Sequence, residues 1–92
     1  MTQISFVDRL VKSGSIPIHL IRAKDKSGED AWYYILSSHD KMRVLAGDNS
    51  DSSIVNLEEY GQIVASGFGR EPTVESKRML KEKYNFDADT LK

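Results

Sequence analysis

Cysteine is absent from this 92-residue chain. Its absence removes disulfides, thiolate metal sites and cysteine nucleophiles together. Extracellular domains of this size lean on such cross-links, so the sequence points to the cytoplasm. Long hydrophobic runs are also missing. Nothing approaches the roughly 18 consecutive apolar residues of a membrane span. The apolar residues between Met1 and Val11 are interrupted by Asp8 and Arg9, unlike the core of a secretory leader.

A basic surplus is lacking too. Thirteen Lys and Arg stand against fourteen Asp and Glu, a formal net charge of −1. Affinity for nucleic acid rests on neutralising phosphates, so this balance argues against nucleic acid as a partner. Histidine is sparse: His19 and His39 fall in no H-x-x-x-H or H-E-x-x-H spacing. No metal site and no cofactor is expected from them.

What remains is the material of one small core. A chain this short buries roughly 60% of the surface its unfolded form exposes. We expect one α+β domain over residues 1–86 and a polar, frayed tail over 87–92. There is no internal repeat and no low-complexity stretch.

Ile4, Phe6, Val7, Leu10 and Val11 recur at helical spacing, with Gly14 beyond them, and predict a helix over 3–12. Ile16 to Lys24 and Ala31 to Ser37 are rich in β-branched and aromatic residues. Asp25 to Asp30 between them is turn chemistry, so the pair predicts a hairpin. Alternation sets Trp32, Tyr34 and Leu36 on one side of the second strand and Tyr33 and Ile35 on the other.

Ser38 is placed to cap a short helix closed by Gly47, followed by a polar loop from Asp48. Ile54-Val55 starts a short extended piece. Asn56 precedes one helical turn with Glu58 and Glu59 near its positive end. Gln62 to Gly67 predicts another strand. Thr73 caps a final helix through Tyr84, and Asn85 stops it. The order α-β-β-α-β-β-α suggests a small two-layer sandwich, a mainly antiparallel sheet of three to four strands with helices on one face.

Two stretches are candidate sites. Ser66, Gly67, Gly69, Arg70 and Thr73 form a glycine-containing link from strand to helix, a geometry that offers backbone amides and a guanidinium to a small anion such as phosphate or carboxylate. The plainer reading gives the glycines a turn-making role, since a lone G-x-G lacks the rest of any nucleotide fingerprint. Trp32, Tyr33 and Tyr34 are the second candidate. If three short helices leave one sheet face bare, these rings form an interaction surface for a protein partner or for a second copy as a homodimer. The plainer reading puts them in the core.

Catalysis has no support in the sequence. A histidine-assisted Ser37 or Ser66 lacks a third member and an oxyanion hole. The basic run Lys77, Arg78, Lys81 and Lys83 is diluted by acids and reads as a solvated helix face. The leading expectation is therefore a non-enzymatic interaction module, with a small anionic-ligand binder as the alternative.

Overall fold

The computed structural model describes residues 3–11, 17–49 and 54–88. Strands β1 (Gln3–Val11), β2 (Ile18–Asp25) and β3 (Asp30–Leu36) come first. Helix α1 (His39–Asn49) follows, then the two-residue β4 (Val55–Asn56) and a 3-10 turn at Leu57–Glu59. Strand β5 (Gln62–Phe68) and helix α2 (Val74–Tyr84) complete the described chain. The strands form one antiparallel sheet in the order β4-β1-β2-β3-β5. The α+β class holds. No described helix is long and apolar enough to cross a membrane.

Three details of the expected architecture are corrected. The sheet has five strands, not three or four, and the chain begins with a strand where a helix was expected. The pairing of β1 with β2 explains the misleading spacing. Its register skips once between Ile4 and Phe6 and again between Val7 and Arg9, so Ser5 and Asp8 are extra residues on β1. Each such bulge resets the two-residue alternation. As a result Ile4, Val7 and Leu10 all pack into the same cluster, a three-residue rhythm that imitates a helix. The Ser5 hydroxyl, at the first bulge, donates to the Asp25 carbonyl at 2.8 Å.

The third correction concerns layering. The helices do not share a face. Ile21, Ala23, Tyr33 and Ile35 of the sheet pack with Met42 and Leu45 of α1, and Leu57 and Tyr60 join them. Ile18, Leu20, Trp32 and Tyr34 pack on the opposite side with Leu80 of α2 and with Phe86 and Ala88. The sheet therefore lies between two apolar layers. Ala88 belongs to the second of these, so the body of the fold runs beyond 86 into the expected tail.

The hairpin and the last helix form as their residues dictate. Oδ1 of Asp25 accepts from the Ser27 and Glu29 amides and the Ser27 hydroxyl, and Gly28 takes φ 88. Thr73 accepts from the Ser76 amide at the start of α2, and Asn85 ends that helix in the left-handed region at φ 51. Ser38 caps α1, accepting from the Lys41 amide at 3.2 Å. That helix continues through Gly47 to Asn49 instead of closing at the glycine. Of the polar loop expected from Asp48, residues 50–53 lie outside the described residues.

Candidate functional site

The three aromatic residues of β3 are core, which corrects their reading as an interaction surface. Trp32, Tyr33 and Tyr34 are 2%, 6% and 1% exposed. The predicted alternation is right, and a layer on each face hides them. Trp32 and Tyr34 turn to α2 and meet edge-on with ring centroids 5.9 Å apart, while Tyr33 turns to the α1 side. Burial raises the Tyr33 hydroxyl above its ordinary pKa, with Asp25 and Glu58 adding to the effect.

The glycine-containing link has its own structural duties. Gly67 sits opposite Trp32 across β3 and β5, and a Cβ there would come within 2.5 Å of the indole ring. Close approach of backbone to ring is thus the reason for glycine at 67. Gly69 needs its glycine for a different reason, a φ of 104. Its amide already donates to the Asp30 carbonyl at 2.8 Å. The hydroxyl of Thr73 is taken by the helix cap. Ser66 and Arg70 are exposed, and the recess against Gly69 and Arg70 is about 10 Å³, room for no more than a water. These five residues do not converge into an anion cradle.

Basic groups do meet elsewhere, where Arg22 and Lys77 line one cleft, a combination the sequence does not show. Arg22 of β2 lies opposite Trp32 in the β2–β3 register, and its Nη2 donates to Oε2 of Glu71 at 2.9 Å. Beside them is a cleft of about 190 Å³ whose lining includes Leu20, Arg22, Tyr34, Glu71, Lys77 and Ala88. Arg22 Nε and Trp32 Nε1 are buried N–H donors with no acceptor among the described residues. The sequence signal was faint. Arg22 and Lys77 stand fifty-five positions apart in the chain.

The histidines show the opposite of catalytic geometry. His19 is fully buried. Its Nε2 donates to the Ser37 carbonyl at 2.9 Å, not to the hydroxyl. The Ser37 hydroxyl in turn donates to the Tyr60 carbonyl. The His39 ring approaches His19 edge-on at 5.0 Å. This arrangement ties β2 and the 3-10 turn to the β3–α1 junction, and the serine proton is committed to a backbone oxygen. Among the described residues no three His, Asp or Glu side chains gather as metal ligands.

No protein-family model matches this chain, and no curated protein or solved structure is detectably similar to it.

Proposed function

We propose that this protein is a non-enzymatic interaction module of the cytoplasm that associates with itself through the outer edge of β5. The observation that carries the reading is the character of that edge. β5 ends the sheet, so one side of its backbone has no strand beside it among the described residues. Its seven residues, Gln62 to Phe68, include no charge and no proline. Edge strands of monomeric proteins are ordinarily blunted by such residues, because open N–H and C=O groups template pairing.

Phe68 adds a side chain with an interest in the same pairing: it is 74% exposed at the end of the strand. β5 carries one restraint. Its register with β3 skips between Ala65 and Ile63, so Val64 is a bulge that bends the N-terminal half away. The pairing segment is therefore Ala65 to Phe68. A second copy laid antiparallel about Gly67 sets Phe68 of each copy opposite Ser66 of the other, on the α1 side of a continuous sheet. No like charges meet, so a homotypic contact carries no electrostatic penalty there.

Sedimentation equilibrium over a wide concentration range tests the reading. Dimers are expected, and Ser66→Lys, at an exposed position, should return them to monomers by placing ammonium groups on both sides of the contact. A wild-type chain that stays monomeric into the millimolar range removes it.

A further inference from the structure

Charges that cancel in the composition are sorted by the fold. The register sets Arg9 opposite Arg22 across β1 and β2, and Lys24 lies two residues along β2 on the same side. Lys77, Arg78 and Lys81 of α2 line a second cleft of about 370 Å³, which shares Lys77 and Ala88 with the one beside Arg22. Asp30, Glu71 and Asp87 line the recesses beside these cations. Like charges set across neighbouring strands cost stability, so their grouping on one face needs an offset elsewhere.

Arg22 is the centre of this arrangement. Its side chain is 22% exposed and its carboxylate partner Glu71 is 73% exposed. A guanidinium presents a two-pronged fork to an oxyanion. Glu71 uses only the Nη2 prong, while Nε remains buried without an acceptor among the described residues. An ion pair with so exposed a carboxylate holds weakly and exchanges easily. An incoming oxyanion that takes both prongs gains a hydrogen bond that Glu71 does not make. The cleft at Arg22 accommodates a phosphate or carboxylate group but is smaller than a site for a whole drug-sized ligand. The adjoining cleft has room for the organic remainder.

We propose that the paired clefts along α2, one against the sheet at Arg22 and the other against Asp87 and Ala88, bind a small phosphorylated or carboxylated molecule, with Arg22 taking the anionic group in place of Glu71 and Lys77 adding the second positive charge. The site is separate from the β5 edge, and a monomeric chain would bind equally.

Nitrogen-15 correlation spectra of the full chain read the site directly, because the Arg22 Nε–H and Trp32 indole N–H give their own signals. Titration with inorganic phosphate and, separately, with acetate at constant ionic strength should move the Arg22 signal to saturation. The tighter of the two anions identifies the source chemistry. Glu71→Gln, at an exposed position, should tighten binding about tenfold by removing the internal competitor. Arg22→Lys should weaken it about tenfold by removing the fork. The proposal is overturned if the Arg22 signal moves no further with phosphate or acetate than with chloride. An unchanged constant in Glu71→Gln overturns it as well, whether or not Arg22→Lys folds.

Discussion

The two faces of the sheet are built from alternate residues of the same strands, yet they end differently. On the α1 side, Tyr33 and Ile35 meet Met42, Leu45 and Leu57, and the buried polar side chain His19 has a carbonyl to bond. On the α2 side, Trp32 and Tyr34 meet Leu80 and Phe86, and the N–H groups of Arg22 Nε and Trp32 Nε1 lack acceptors among the described residues. The buried histidine of one face has its partner; the other face is left polar at one end. A buried unpaired donor costs about 1–3 kcal/mol, so the place of Arg22, beside a cleft, marks where a ligand would be stabilising.

The comparison breaks most readily by cavity formation. Leu45→Ala and Leu80→Ala each empty a fully buried site, one per face, and each should cost about 2–5 kcal/mol in urea unfolding. A Leu80 variant with wild-type stability would show that α2 is an appendage and not a second layer. Gly67→Ala presses a methyl group onto the Trp32 ring and should cost about 1–3 kcal/mol. Tryptophan emission should change with it, and an unshifted spectrum and midpoint would deny the close approach.

Smaller effects sharpen the contrast. Ser38→Ala and Thr73→Ala remove the caps of α1 and α2, and each should cost about 1 kcal/mol. Thermal melts read both, and amide exchange should quicken in the affected helix alone. The smallest effect is that of acid on the hairpin. The Ser27 hydroxyl and then the Glu29 amide hold Asp25 below its usual pKa, and the Lys24 ammonium does the same for Asp30. Their folded pKa values lie below the unfolded ones, so both stabilise the fold above the usual carboxylate range. That contribution fades as pH falls through the depressed values. The Lys24–Asp30 pair is solvent-exposed, so salt should blunt its share of the loss. Carbon-13 titration of the two carboxyls checks the sign.

How much of this was legible depends on how far apart the deciding groups lie in the chain. Thr73, Asn85, Ser38 and the Asp25–Asp30 turn act on backbone groups a few residues away, so their roles are read from neighbours. The first strand misled because its bulges are set by pairing with β2, and the spacing of Ile4, Val7 and Leu10 is a consequence of that pairing. Alternation in β3 sorted the aromatic residues to the correct sides, but whether each side is covered depends on where α1 and α2 dock. The glycines of the 67–69 link were recognised, and the plainer of their two readings is the structural one.

Local chemistry, then, was the sequence's own determination: the absence of cross-links, the hairpin, the caps, and the alternation of faces follow from residue type and short-range hydrogen bonding. Tertiary structure alone decided the layering, the burial of Trp32 and both neighbouring tyrosines, and the meeting of Arg22, Glu71 and Lys77. The reason is physical. Packing and charge act through space between groups tens of residues apart, and no local pattern encodes which of two equally apolar sheet faces a helix will cover.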